Sequence, residues 1–210
     1  AALDGGVNLT LGNAITVASG ANLTLAQTHD ALLSGVIDGA GGLIVGAAGR
    51  SLTLTGANTY QGGTQLNGGS LVVGSGTALG SGALQVNGAA TLAGAAGGPA
   101  IALANNVTLN NALTVNGARD LTLSGTIDGA GSLLKSGSST LTLNGANTYQ
   151  GGTTLAAGAL RVGNGAALGS GGLTVTGAAT LGSTQAVTLN NNVTLNQGLA
   201  LDLTNDLTLA

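Results

Sequence analysis

The chain has no Cys, Met, Trp or Phe, a single Pro and only two Tyr in 210 residues. Without cysteine, disulfides are excluded and the redox compartment cannot be read from thiol content. Without bulky aromatic or thioether side chains, a core between elements crossing at irregular angles lacks its usual fillers. The interior must be built from Leu, Val, Ile and Ala, which fit narrow, regular spaces, so the architecture should be repetitive. Charge is scarce as well: 5% of residues are charged, all seven acids are Asp, and the net charge is -3. Arg50, Arg119, Lys135 and Arg161 are scattered and offer no basic stripe for phosphate neutralisation, which sets nucleic acid aside. Polar residues interrupt every apolar run well before the roughly 18 residues that a membrane-spanning helix needs. A 43% hydrophobic content argues equally against disorder. Ala1-Ala2-Leu3-Asp4-Gly5 carries no basic region, apolar stretch or cleavage site, so the sequence reads as an excerpt of a longer protein or one whose signal has been removed.

What is present is glycine, 40 residues of it, and a long internal repeat. Gly56-Ala57-Asn58-Thr59-Tyr60-Gln61-Gly62-Gly63-Thr64 returns unchanged from Gly145 to Thr153, a shift of 89 residues. The same shift carries Ala78-Leu79-Gly80-Ser81-Gly82 onto the segment from Ala167 to Gly171. Leu33-Ser34-Gly35 with Ile37-Asp38-Gly39 returns from Leu123 to Gly129, a shift of 90, so one residue is lost between the copies near Gly46 to Arg50. Long repeats of approximately 33–122 and 123–210 are expected within a single continuous unit, 1–210.

Beneath the long repeat runs a triplet of apolar, polar and apolar residues, as in Leu9-Thr10-Leu11, Leu52-Thr53-Leu54 and Leu207-Thr208-Leu209. Strict alternation is the strand period, and the triplets are separated by Gly, Asn, Ser and Ala, residues suited to tight turns. Sandwiches and propellers carry antiparallel strands and usually an aromatic core. The pattern predicts an all-β fold, a right-handed three-sided parallel β-helix (β-solenoid) of about ten rungs, roughly 20 residues each, with the long repeat close to four rungs. Inward aliphatics should stack, central Thr should form outward ladders, and Asn105-Asn106, Asn110-Asn111 and Asn190-Asn191-Asn192 should hydrogen-bond between rungs at turns.

Several patterns imitate sites. Gly39-Ala40-Gly41-Gly42 and Gly163-Asn164-Gly165 look like phosphate loops, but no helical period follows them. A glycosidase-like acid pair needs carboxylates roughly 5–10 Å apart. The candidates are Asp4, Asp30, Asp38, Asp120, Asp128, Asp202 and Asp206; Asp38 and Asp128 are expected four rungs apart, and Asp202 and Asp206 lack a cationic companion. His29, the sole histidine, falls in a segment read as an insertion and expected to protrude as a surface loop, where a binding function could sit. A lone His cannot assemble the usual metal site. Single Thr columns suit ice binding poorly, and Asn-Val-Thr and Asn-Leu-Thr triplets, which match a glycosylation acceptor, fall out of the repeat itself. Tyr60 and Tyr149 occupy equivalent positions and are expected to cover a turn, with the hydroxyl on a backbone group. No catalytic, cofactor-binding or metal-binding residue is assigned, and no cofactor is implied.

Leu-Thr-Leu-x-Gly-Ala-Asn-Thr-Tyr-x-Gly-Gly-Thr-x-Leu, followed by Gly-x-Leu-x-Val-Gly and Ala-Leu-Gly-Ser-Gly, runs from Leu52 to Leu92 and again from Leu141 to Leu181 with small departures. It resembles the autotransporter-associated β-strand repeat, or passenger-associated transport repeat, of Gram-negative autotransporters and related adhesins. The resemblance implies export across the outer membrane, a parallel β-helical passenger, and a stalk that aids secretion and holds adhesive parts away from the cell. It implies no catalytic residue. Expected partners are the rest of the same polypeptide, including its outer-membrane translocator, and as alternatives polysaccharide, a host surface or another copy of the chain.

Overall fold

The computed structural model describes residues 2–3, 8–26, 29–46 and 49–210. Asp4, Gln27, Thr28 and residues 47–48, where the one-residue offset between copies falls, lie outside the described residues. No helix occurs among the described residues, and every strand pair is parallel. The chain winds through three faces in turn. The second face is one ten-stranded sheet, from Leu9–Leu11 through Ser51–Leu54 to Val193–Leu195. Its ten strands take nine steps of about 20 residues, so the rod has ten rungs, as the triplet spacing predicted. Parallel crossovers of this kind favour the right-handed sense.

The other two faces are each interrupted, and the interruptions locate the repeat. The first face is a seven-stranded sheet ending at Ile127–Asp128; by chain order it resumes as Val187–Leu189 paired with Leu207–Leu209. The third face begins as Ile15–Thr16 paired with Ile37–Asp38 and resumes as a six-stranded sheet from Ile101–Leu103. The missing strands are the segments around Asn58-Thr59-Tyr60 and Ala78-Leu79-Gly80 on the third face. On the first face they are the segments around Asn147-Thr148-Tyr149 and Ala167-Leu168-Gly169.

This corrects the expectation of a four-rung repeat. Ser51–Leu54 lies in the ten-stranded sheet, whereas its counterpart Thr140–Leu143 lies in the six-stranded sheet, four rungs and one face further on. The period is therefore about four and a third rungs, and equivalent residues sit on neighbouring faces. Asp38 and Asp128 lie on the third and first faces, not above one another.

Inside, aliphatics stack in register. One column of the second face reads Leu52, Leu71, Leu92, Val115, Lys135, Leu155 and Val175. Every member is buried, Lys135 included. Each fully buried Leu or Val contributes about 1.5–3 kcal/mol, and continuity of the column makes the contribution repeat at every rung. Outside, Thr154, Thr174 and Thr194 line up as the Thr ladder expected, but Leu134 interrupts the column between Thr114 and Thr154. The last rung exposes Leu195, Leu201, Leu203 and Leu209.

Candidate functional site

Among the described residues, Asp120 and Asp202 line one open groove of about 370 Å³ with Arg161, but they adjoin strands four steps apart in the six-stranded sheet, roughly 19 Å at the usual strand spacing and beyond the reach of an acid pair. Asp30 and Asp120 are occupied in equivalent ways, Asp30 Oδ1 accepting from the Ser51 amide at 2.8 Å and Asp120 Oδ1 from the Thr140 amide at 2.7 Å. This equivalence corrects a second expectation. The corner around His29 and Asp30 is not an insertion, because residues 26–30 align with 116–120, with His29 opposite Arg119 and Asp30 opposite Asp120. His29 is half-buried and Asp30 exposed. Arg119 folds back over its own corner, with Nη1 donating to Gly74 O at 3.3 Å and Ala95 O at 3.4 Å. Asp202, which was expected to lack a cationic companion, pairs with Arg161. Together with the hydroxyl and amide of Thr204, which act more strongly, that guanidinium holds the Asp202 carboxyl below its usual range. Asp38 keeps one buried oxygen, Oδ1, without a hydrogen-bond partner.

Two open grooves follow the rod axis and are repeat equivalents. One, of about 560 Å³, passes Asp30, Arg50, Ser51, Ser70 and Thr91. The other, of about 730 Å³, passes Ser138, Gly158, Ala159, Ala179 and Thr180. The first carries Asp30, Arg50 and several hydroxyls among its Gly and Ala, whereas the second has only Ser138 and Thr180 as polar side chains, so the charged lining is not shared between the copies. Among the described residues, no group of three or more His or Asp side chains is placed to hold a metal.

The chemistry of the repeat lies instead inside the rod, at the two interruptions. At the first, Asn58 is 2% exposed and bridges three rungs: its Oδ1 accepts from the Ile37 amide below at 2.8 Å, and its Nδ2 donates to Ala78 O above at 2.7 Å. Asn147 repeats this with the Ile127 amide at 2.8 Å and Ala167 O at 2.6 Å. A strand ladder would have satisfied those groups, so the carboxamide stands in for backbone. Beside it the chain still lends main-chain bonds, Thr59 N to Ile37 O at 2.8 Å and Ser81 N to Tyr60 O at 3.0 Å.

Tyr60 and Tyr149 point inward and are 0% exposed, the two aromatic rings filling the space left where a strand is missing. Each ring lies against a turn as expected, that of Gly80 or Gly169, but it does so from inside the rod. Their hydroxyls bond not to backbone but to side chains, Tyr60 to Thr64 Oγ1 and Tyr149 to Thr153 Oγ1, each at 2.5 Å. Thr64 and Thr153 sit at inward positions between leucines, Leu43 and Leu84 for one, Leu133 and Leu173 for the other. A hydroxyl in an aliphatic column makes sense once it meets the phenol. Gly80 and Gly169 complete the arrangement. They adopt φ of 60° and 63°, and a Cβ on either would come within 2.2 or 2.3 Å of the Tyr60 or Tyr149 carbonyl oxygen.

A second tier of amides, Asn105 buried and Asn191 half-buried, closes each arrangement from above. Asn105 Nδ2 donates to Gly80 O at 3.1 Å and Gly82 O at 2.7 Å, and Asn191 Nδ2 to Gly169 O at 3.0 Å and Gly171 O at 2.7 Å. The rung-to-rung bonding expected of Asn105, Asn110 and Asn191 is thus present. Only Asn110 makes it through stacked carboxamides, in the exposed series Asn67, Asn87 and Asn110, with 2.9 Å at each step.

Burial pushes both phenols up to about 12, the Thr hydroxyl offsetting this slightly. A group that holds its proton more tightly in the fold stabilises the fold below its ordinary value of 10.0 and loses that contribution as pH rises toward about 12. Alkaline titration should therefore show both tyrosinate absorbances emerging together with loss of β circular dichroism between those limits. With no Trp in the chain, the signal belongs to the two motif rings alone.

Lys135 is the residue that the sequence reading missed. It stands at an inward position, where the first copy has Val45, and its Nζ turns to the corner carbonyls Ser136 O at 2.7 Å, Gly137 O at 2.9 Å and Ala157 O at 3.3 Å. Desolvation lowers its pKa from the ordinary 10.5, opposed by the Asp120 charge. A depressed lysine weakens the fold while it is charged and stops doing so as pH rises toward 10.5. Lys135→Met should shift the urea midpoint little at neutral pH, within about 1.5 kcal/mol, because an apolar chain of similar volume fits the Leu column. It should also flatten the rise in stability below pH 10.5.

Comparison with known families gives the description of the motif. The passenger-associated-transport-repeat model matches residues 51–73 and 133–162, about a quarter of the chain, and each match contains one Asn-Thr-Tyr turn. No curated protein and no solved structure matches the chain.

Proposed function

We propose, for a parallel β-solenoid that carries two passenger-associated transport repeats, that it forms a length of the exported stalk of a bacterial autotransporter or related adhesin. It supports export and holds adhesive regions away from an outer membrane of the Gram-negative type. The observation that carries this reading is where the repeat's distinctive side chains lie. Asn58, Tyr60, Thr64, Asn147, Tyr149 and Thr153 are all buried and engaged with neighbouring rungs or with one another, so the motif serves assembly of the rod rather than contact with a substrate. On this reading the segment is structural and not an enzyme. Its partners are adjacent rungs of the same polypeptide, which Leu203 and Leu209 would meet, and the translocator through which it leaves the cell.

A coil whose rungs contact only their neighbours can nucleate at one place and propagate. Folding outside the cell then biases an unfolded chain outward, and a chain with few charges and no cysteines presents little to obstruct a pore. Asn58→Ala combined with Asn147→Ala in the parent protein should reduce the surface-exposed fraction several-fold at unchanged synthesis, read by external protease on intact cells. Undiminished delivery would sink the link between the turns and transport.

A further inference from the structure

An ordinary rung of this rod completes itself as it is added. Its strands close ladder bonds with the rung below and bury their own aliphatics, leaving nothing that waits for the next rung except an exposed edge. The rungs at the Asn-Thr-Tyr turns differ. When Asn58-Thr59-Tyr60 docks beside Ile37, the carboxamide Oδ1 is satisfied at once, but Nδ2 has no acceptor until Ala78 arrives. The Tyr60 carbonyl waits for the Ser81 amide, and the Tyr60 ring lacks its cover, the backbone of Gly80, where a Cβ would stand 3.0 Å from the ring Cγ. A half-built turn therefore holds a nearly buried donor and acceptor unpaired, each unfavourable by about 1–3 kcal/mol, beside an uncovered aromatic ring.

We infer that the three rungs at each turn, residues 37–82 and 127–171, close and open as one cooperative block, whereas the strands between them, residues 84–123, add singly. Asn105 and Asn191 fasten each block from the following rung. Growth of the rod is thus stepped. This deepens the transport reading, since a chain emerging from a pore would be held against return in increments of three rungs. The block itself is a property of the isolated chain and stands or falls apart from transport.

Native-state hydrogen exchange on the 210-residue chain over a urea series tests it. The amides of Thr59, Gln61 and Ser81 should share one opening free energy and one urea slope, and those of Thr148, Gln150 and Ser170 should share another. The amides of Asn87 and Ala95, on one rung, and those of Asn110, Asn116 and Ser124, on the next, should instead open with two separate free energies. In Asn58→Ala, protection across the first block should fall on the order of 100-fold together, while the second block changes by less than about two-fold. Protection that varies rung by rung through residues 59–81, or a single opening shared by the whole chain, would overturn the proposal. If Asn58→Ala does not fold, Tyr60→Phe keeps the ring and removes only its bond to Thr64. The same confined loss, smaller in size, is then expected, and a loss spread evenly along the rod overturns the proposal.

Discussion

Asn58→Ala should lower the stability of the rod by about 3 kcal/mol, because it strands two buried groups at once, the Ile37 amide and the Ala78 carbonyl. The effect reads as a lower urea midpoint, with an unchanged slope, for the opening of residues 37–82. Asn58→Asp separates the two halves of the role. An ionised carboxylate can still accept from Ile37 but has nothing to donate to Ala78 O, whereas the protonated acid can do both, so recovery should be partial at best at neutral pH and grow as the acid is protonated. A midpoint shift below about 1 kcal/mol in Asn58→Ala would mean that water replaces the amide and that the carboxamide is not holding three rungs together.

Tyr149→Ala should destabilise by about 3–5 kcal/mol, the range for truncating a large buried aromatic without collapse of the site. Collapse is unfavourable here because the cavity is walled by backbone, with Gly169 held at positive φ against the Tyr149 carbonyl. Tyr149→Phe should cost only about 1 kcal/mol, the loss of one buried bond to Thr153, and the double change of Tyr149→Phe with Thr153→Val should restore much of it. If Tyr149→Ala proves no worse than Tyr149→Phe, the ring is not what fills the missing strand.

The elements that were legible in the sequence are those governed by local period. Leu-Thr-Leu triplets at steps near 20 residues announce short parallel strands and their rung count, since alternation and turn glycine act within a few residues. The repeat itself was equally visible, but its geometry was not. An 89-residue shift looks like four rungs when the rung is estimated as a round number, and the extra third of a rung emerges only from which strands share a sheet. The tyrosines were misplaced for a related reason. Two aromatics in a Gly-rich turn suggest a cover for that turn with the hydroxyl on backbone, and only the absence of a strand at that rung reveals an interior gap large enough for a ring. Thr64 and Thr153 held the clue, being polar residues at the first position of their triplets, where Leu or Val stands in the Leu-Thr-Leu pattern. Lys135 left a similar trace, since Leu133-Leu134-Lys135 breaks an inward pattern that Leu43-Ile44-Val45 keeps.

The fractional period has a genetic consequence. Fusing Ser51 to Leu141 removes one whole copy yet restores a Ser-Leu-Thr-Leu strand at the junction, so unequal recombination between copies can delete or add a unit without a foreign seam. Each such event changes the reach of the rod by about 21 Å at the usual strand spacing and swings everything distal to it by one face, about a third of a revolution. Three units, about thirteen rungs, bring the original orientation back. Copy number is therefore a dial for azimuth as well as for length, and lineages differing by a single unit would present the same distal surface in a different direction.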